Sequence, residues 1–375
     1  MQAMIPFNKP YVCGREYEYI AEAVCRQQIA GNGYFSKKCS SWLEAESGSN
    51  KVLLTHSCTA ALEMCAILAE IKPGDEIIMP SYTFVSTANA FVLRGGVPVF
   101  IDIRMDTLNI DETLIEKAIT SKTKAIVVVH YAGVPCEMNK IIDVAKKYHI
   151  LVIEDAAQGI MSSYKGQMLG SIGDLGCYSF HETKNIVSGE GGALLINNKR
   201  FADRAEILWE KGTNRSNFER GDVDKYSWVD IGSSFLPGEL TAAFLAAQLE
   251  EANNITERRI LIWEHYHMGF EILERTGVVQ RPSCTHNGHM YYLILNNCKK
   301  RKEFISMMSK AGINCVFHYV PLHSSPYGQR VCAKVDDLNV TKLVSSSIVR
   351  LPLWLGVEDF QDYIIESTVK ILLTS

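Results

Sequence analysis

The 375-residue sequence lacks any uninterrupted apolar run of membrane-spanning length, so it offers no candidate for a transmembrane helix. Its opening, "MQAMIPFNKP", lacks the charged start and apolar stretch of a secretory signal. It also lacks a strong excess of either charge. With 38 basic and 42 acidic residues the net charge is −4, and the basic residues are scattered, so no nucleic-acid surface is expected. Eleven cysteines are thin coverage for this length, and their odd number points to reduced thiols and a cytoplasmic protein. No G-x-G-x-x-G follows an early strand, which disfavours a nicotinamide-dependent oxidoreductase. "HETKN" is not the zinc motif H-E-x-x-H, because position 185 is Asn. Internal repeats and low-complexity segments are absent too.

What is present is a globular composition, 47% hydrophobic and 21% charged, in a chain long enough for two domains. Short apolar runs alternate with helical patterns through the first two thirds: "KVLLT" then "TAALEMCAILAEI", "PGDEIIMP" then "TFVSTANAFVLRG", and "KAIVVVHYAG", "EMNKIIDVAKKYH" and "ILVIED" in succession. That alternation predicts an α/β domain with a mainly parallel sheet covered on both faces. Beyond "DIGSSFLPGEL" the spacing predicts one long helix with a break near Asn253–Asn254, then strands at "HMYYLIL" and "NCVFHYVPL" and a helix at "KRKEFISMMSKAG". The expected division is a large α/β domain over residues 1–250 and a smaller α+β domain over residues 251–375.

Three features fall at strand ends, where open α/β sheets bind ligands. After "VLLT", the residues Ser57, Cys58 and Thr59 open a helix whose first N–H groups lack internal partners. Such a start is a phosphate site or an ordinary helix cap. Asp155 ends the apolar run "ILVIED", where an unpaired carboxylate is costly, so it needs a cation or a hydrogen-bond donor, or it braces a loop. Gln158 follows one step later. Lys184 lies in "CYSFHETKN", between aromatic residues and the "GEGG" turn, with Ser179 five positions before it. Held among aromatic groups, a lysine becomes nucleophilic; on a solvated face it does not.

Together these features suit pyridoxal phosphate, which needs an anion cradle, a carboxylate facing its ring nitrogen and a lysine to form a Schiff base. Phe84, in "PSYTFVSTANA", is the candidate to stack on the ring, if it is not simply a core residue. Gly189, Gly191 and Gly192 let the chain double back after the lysine.

The stretches "PGDEIIMPSYTFVSTANA", "VIEDAAQ", "CYSFHETKN" and "GEGG" resemble the DegT/DnrJ/StrS family of sugar-nucleotide aminotransferases, and the similarity runs from "MIPFNKP" to "LPLWLG". The resemblance implies the aspartate-aminotransferase fold (fold type I of pyridoxal-phosphate enzymes), with a mainly parallel seven-stranded sheet. It implies that Lys184 forms the Schiff base, Asp155 keeps the pyridine nitrogen protonated, Gln158 lies near the cofactor's O3′ and Phe84 stacks on the ring. Ser57, Cys58, Thr59 and Ser179 correspond to phosphate-binding positions. Members are dimers with shared active sites, in which the partner subunit adds a phosphate ligand from a "G-x-N-x-R" segment. Here that segment reads "GSSFL": Ser234 replaces the asparagine and still donates a hydrogen bond, whereas Leu236 replaces the arginine and cannot hold an anion.

Through "VLRGG", "HETKN", "KGTNRSNF", "DIGSSFL" and "FHYVPLH", the resemblance is strongest to members that aminate C4 of dTDP-4-keto-6-deoxy-D-glucose with L-glutamate. The implied product is the galacto epimer of a dTDP-4-amino-4,6-dideoxyhexose, for a cell-surface glycan such as enterobacterial common antigen or O-antigen. The gluco epimer, amination at C3 and a pyridoxal-phosphate sugar dehydratase share every cofactor residue. Some of the family's dehydratases are the exception and carry histidine in place of the lysine; this sequence keeps Lys184, which argues for amino transfer, and His181 lies three positions too early to be that replacement. Substrate candidates are His181, Arg215, His318 and His323. Cys284, His286 and His289 in "CTHNGHM" read as a polar loop rather than a metal cluster, and no metal is expected.

Overall fold

The computed structural model describes residues 4–274, 285–333 and 337–374. Its central element is a seven-stranded sheet in the order β1-β9-β8-β5-β4-β2-β3. The strands are β1 (Lys51–Thr55), β2 (Glu76–Pro80), β3 (Val97–Ile101), β4 (Thr123–Val129), β5 (Leu151–Asp155), β8 (Leu175–Ser179) and β9 (Gly192–Ile196); a small hairpin of β6 (Ser163–Tyr164) and β7 (Gln167–Met168) stands apart. β3, β2, β4, β5 and β8 pair in parallel, and β9 runs antiparallel to both of its neighbours. Every residue of β8 and β9 is buried, which requires cover on both faces and explains their lack of polar alternation.

The helices bear out the physics of their sequences. Met138–Tyr148 turns Met138, Ile141 and Ala145 inward and leaves Lys146 and Lys147 outside. Cys58–Leu68 is apolar nearly all round because it is wedged between the sheet and the helices Val85–Val92 and Ala202–Trp209.

The long helix expected after residue 240 breaks at Glu251, slightly earlier than its asparagines suggest, into Glu239–Glu250 and Ala252–Gly269. The first half packs against the N-terminal helices Glu16–Cys25 and Tyr34–Ser47, and the second against Gln361–Thr374, so two different partners impose the bend. Glu239, fully buried, accepts from the backbone N–H groups of Gly33, Phe35 and Ser36 and so caps the helix Tyr34–Ser47 from a distant part of the chain. In the C-terminal portion, β10 (Tyr291–Ile294) and β11 (Ile348–Leu351) form an antiparallel pair flanked by helices Cys298–Lys310 and Asn339–Ser347.

The strand expected at "NCVFHYVPL" does not form. One bridge joins Val316 to Arg350, and the chain then leaves strand geometry. The Tyr82 hydroxyl donates to the His318 carbonyl, and Leu322 N donates to Ser81 O at 3.0 Å, so this segment's polar groups are spent on the loop after β2. The N-terminal segment bridges both portions: Ile5 exchanges backbone bonds with Gly312 and Asn314, and Asn8 Nδ2 donates to Glu182 O at 3.2 Å.

Candidate active site

The carboxyl ends of β1, β5 and β8 open on one cleft of about 560 Å³, which the C-terminal portion closes from above. Register explains why distant residues meet there. Thr55 of β1 and Ser179 of β8 both pair with Gly192 of β9, and Asp155 pairs with Cys177. Ser57, Cys58, Thr59, Phe84, Asp155, Gln158, Ser179, His181, Lys184 and His318 all line this cleft.

At the end of β1, the Ser57 side chain accepts from Ala60 N at 3.1 Å and caps the following helix. The Ser57 oxygen is therefore engaged, while the N–H groups at the first turn, together with Thr59 Oγ1, which lies 2.7 Å from Ser86 Oγ, remain to meet an anion. Gly192 is needed there for space rather than for its backbone angles: a Cβ would stand 2.4 Å from Cys58 N, whereas Gly189, with φ +81°, adopts the left-handed conformation and has open space around it. Gly192→Ala is expected to push the helix start out of place, destabilise the fold by about 1–3 kcal/mol and weaken binding of a phosphate group. Thermal denaturation and a pyridoxal phosphate titration check this, with the milder Gly189→Ala, about 1 kcal/mol, alongside.

Asp155 is buried. Its Oδ2 accepts from Thr87 Oγ1 at 2.7 Å, which in turn lies 2.8 Å from Thr83 Oγ1, and its Oδ1 accepts from Ala157 N at 3.2 Å. Burial pushes its pKa above the usual aspartate value, against the hydrogen bonds from Thr87 and Ala157 and the nearby charge of Lys184. This carboxylate is held in place but lacks a full counter-charge. Gln158 is fixed at both ends: Oε1 accepts from Ala132 N at 2.6 Å and Nε2 donates to Tyr319 OH at 3.1 Å.

Lys184 is partly buried after β8, and its Nζ makes no hydrogen bond or ion pair among the described residues. Burial lowers its pKa; Cys58 and Asp155 oppose that shift, and Arg350 adds to it. An amine in this setting is readily unprotonated and nucleophilic. Phe84 is not a core residue: it is 57% exposed and faces the cleft, with its ring centroid 6.3 Å from that of Tyr319. His318 takes a hydrogen bond at Nδ1 with Tyr131 OH (3.0 Å), and burial holds its pKa well below the histidine value, so it faces the cleft as neutral imidazole. His181, at the rim, pairs Nδ1 with Thr183 Oγ1 at 2.9 Å.

Three sequence candidates lie elsewhere. Arg215 starts the short helix Arg215–Arg220, where it pairs with Glu219 at 2.9 Å away from the cleft. His323 is tied by Nδ1 to Ser81 Oγ at 2.7 Å and braces the loop after β2. Ser234 forms an isolated bridge with Glu210 outside its own chain's cleft, although the adjacent Phe235 carbonyl accepts from His56 N at the end of β1. "CTHNGHM" does not behave as a polar loop throughout. Cys284 lies outside the described residues and His286 packs on Trp263, but His289 is buried in the cleft wall with Nδ1 2.8 Å from Asn185 Oδ1. No group of three or more metal-ligating side chains occurs among the described residues.

Sequence reasoning did not single out Arg350, Tyr319, Thr87, His289 or Phe7 for the site. The one available signal was a lone arginine inside the apolar run "SIVRLPLWL"; His289 read as part of a polar loop, and nothing in the local sequence marked the other three.

The residues present fit pyridoxal phosphate: a helix start kept clear by Gly192, a buried carboxylate in need of a positive partner, an unpaired amine and an exposed aromatic face share one cleft. Comparison with known proteins agrees. The profile of the DegT/DnrJ/EryC1/StrS aminotransferase family matches residues 13–369. The spore coat polysaccharide biosynthesis protein SpsC of Bacillus subtilis is 32% identical over 87% of this chain and 86% of its own. The GDP-perosamine synthase of Escherichia coli O157:H7 is 30% identical over 86% of each. The sugar aminotransferase Spr1654 of Streptococcus pneumoniae, described as putative in its own name, superposes in its PLP form with a TM-score of 0.89 at 26% identity, covering 99% of both chains.

Proposed function

The chain belongs to the DegT/DnrJ/EryC1/StrS aminotransferase family with pyridoxal phosphate as its cofactor, and from that premise we propose that it transfers an amino group from L-glutamate to C4 of dTDP-4-keto-6-deoxy-D-glucose. The observation that carries the reading is the unpaired Lys184 amine sharing one cleft with the buried Asp155 and the open helix start at Cys58.

When bound, pyridoxal phosphate supplies the carbonyl that carries the amino group and the ring that takes up the electron pair left as a C–H bond breaks. The helix start at Cys58 and Thr59, which Ser57 caps, would hold its phosphate together with Ser179, Phe84 would cover the ring, Gln158 would contact its O3′, and Asp155 would keep its nitrogen protonated. Lys184 is the residue that would tether the group. With its Nζ free, Lys184 would take the proton from the donor's Cα as a general base. In the second half-reaction it returns a proton to C4 of the sugar. His318, neutral and anchored by Tyr131, and His181 at the rim both line the cleft and would hydrogen-bond sugar hydroxyls. The cleft is shared with a second copy of the chain, whose Ser234 would reach the phosphate.

The galacto epimer of the product is the reading favoured here, in keeping with cell-surface glycan synthesis. One relative's name specifies a GDP-linked sugar, so a GDP-linked keto sugar is the rival acceptor. The test is incubation of the loaded protein with glutamate and each keto sugar, following 2-oxoglutarate and the proton couplings of the product. Glutamate-dependent consumption of the dTDP sugar, with the small H3–H4 coupling of an axial amine, is the expected result. Turnover confined to the GDP sugar would overturn the acceptor, a large coupling would overturn the epimer, and loss of a hydroxyl without use of donor would make the protein a dehydratase.

A further inference from the structure

The basic residues of this chain are scattered with one dense exception, the run "CKKRKEF" that opens the helix Cys298–Lys310. That helix carries five cations and a single carboxylate, in a chain whose net charge is −4. It buries Phe304 and Met308. The three- and four-residue spacing of Lys299, Lys302, Ser306 and Lys310 sets them on one stripe, and all four are exposed. Phe317 stands beside the stripe, 53% exposed, with the Arg301 guanidinium 5.6 Å from its ring centroid. Arg301, Lys302, Ile305, Lys310 and Phe317 line an open groove of about 550 Å³ that has no acidic residue in its wall. None of them lines the cleft that holds Lys184.

These cations break a local rule. The N-terminal end of a helix carries the positive end of its dipole and favours anions. Here the first turn holds no acidic residue, and four cations, Lys299 to Lys302, crowd into it. The protein itself does little to offset them. The side chains of Lys302 and Lys310 have no hydrogen bond or ion pair among the described residues, and Lys299 meets only Glu303, at 3.9 Å. Arg301 donates to the Ser345 carbonyl at 2.5 Å, a neutral acceptor that leaves its charge unbalanced. Such a concentration of one sign is relieved by an anionic surface from outside.

The residue types select which surface. Protein interfaces are depleted in lysine and gather several aromatic residues at a dry centre; here a single ring stands among lysines. A lysine is a point charge on a flexible stem, suited to phosphates in no fixed arrangement. Its stem lies along apolar material while its ammonium stays in water. A bilayer of anionic phospholipid calls for this combination, with cations at the headgroups and an apolar ring at the acyl boundary.

We propose that the outer face of the helix Cys298–Lys310, with Phe317, is a docking face for an anionic phospholipid surface and holds the protein reversibly at a membrane. The contact lies outside the cleft and is independent of the reaction there.

The test is co-sedimentation of the cofactor-loaded, full-length protein with two kinds of vesicle: phosphatidylcholine alone, and an equimolar mixture of phosphatidylcholine and phosphatidylglycerol. The expected result is binding to the mixed vesicles only, with a partition coefficient on the order of 10⁴ M⁻¹ that falls steeply as salt is raised. The triple variant Lys299→Gln, Lys302→Gln and Lys310→Gln should bind about 100-fold more weakly, roughly fivefold for each lysine. Phe317→Ser should bind about 10-fold more weakly. The triple variant should keep the visible band and thermal midpoint of the wild type, so that lost binding is not lost folding. The salt dependence of the wild type tests the proposal without any variant: binding that survives high salt would overturn it. Equal binding to both vesicles, or binding indifferent to the three lysines, would overturn it too. So would absence of binding to either, and capture of the same stripe by polyglutamate or a single-stranded oligonucleotide would then reassign it to an acidic protein or a nucleic acid.

Discussion

Lys184→Ala is expected to abolish the visible band of the loaded protein and to lower turnover by about 10⁴-fold, the loss that follows removal of a positioned proton-transfer group. It is not expected to lower the thermal midpoint of the cofactor-free protein. The Lys184 Nζ has no hydrogen bond or ion pair among the described residues, so its removal orphans nothing. Burial already pulls its pKa below the lysine value, so placing the amine there costs stability. The folded pKa is depressed, so the protein binds that proton less tightly when folded. The cost is present below the depressed value and disappears as pH rises past the unfolded lysine value. Small primary amines should partly restore turnover in Lys184→Ala, because they can occupy the vacated space and carry the proton. A variant that keeps the band, or turns over normally, would refute the assignment.

Asp155→Asn should separate stability from activity in the same way but with the opposite pH dependence. Asparagine can accept from Ala157 N through Oδ1, and the hydroxyl of Thr87, paired with Thr83, can reverse its direction to receive the amide. Burial raises the Asp155 pKa, so the folded protein holds that proton more tightly than the unfolded chain. The carboxylate therefore costs stability above the raised value, and the cost is relieved as pH falls through it. Cofactor-free Asp155→Asn should melt no lower than wild type at neutral pH, with any advantage vanishing under acid. Loaded with pyridoxal phosphate the order should invert, since the variant cannot balance a protonated ring nitrogen, and turnover should fall by about 10²–10⁴-fold. Paired melting curves with and without cofactor read both effects. A variant that loses stability equally in both forms would make Asp155 a structural brace.

Both expectations rest on residues that stood out in the sequence because they break a local rule. Asp155 ends a strand that is apolar apart from Glu154, and Lys184 follows directly on an aromatic segment. Residues that obey local rules were invisible. Thr87, whose hydroxyl fixes Asp155, reads as one more small residue in the helix Val85–Val92. Gly192 read as a turn glycine, but its need for space appears only when the start of the helix Cys58–Leu68 is placed against β9. The strand expected at "NCVFHYVPL" had the right composition, yet its polar groups were claimed by Tyr82 and Ser81, which lie more than 230 positions earlier in the chain.

The sequence by itself determined the parts: alternating strands and helices, a helix start rich in small hydroxyl residues, a carboxylate and a lysine at strand ends, and with them the cofactor. Those follow from local chemistry, because an apolar run ending in a charge must end at a surface or a site. Only the tertiary structure decided the company these residues keep. Pairing of β9 between β1 and β8 brings Thr55, Gly192 and Ser179 abreast, and folding of the C-terminal portion over the sheet turns Arg350 and His318 toward Lys184 while leaving Arg215 and His323 outside. Such neighbours are set by sheet order and by the packing of segments far apart in the chain, and no local pattern records them.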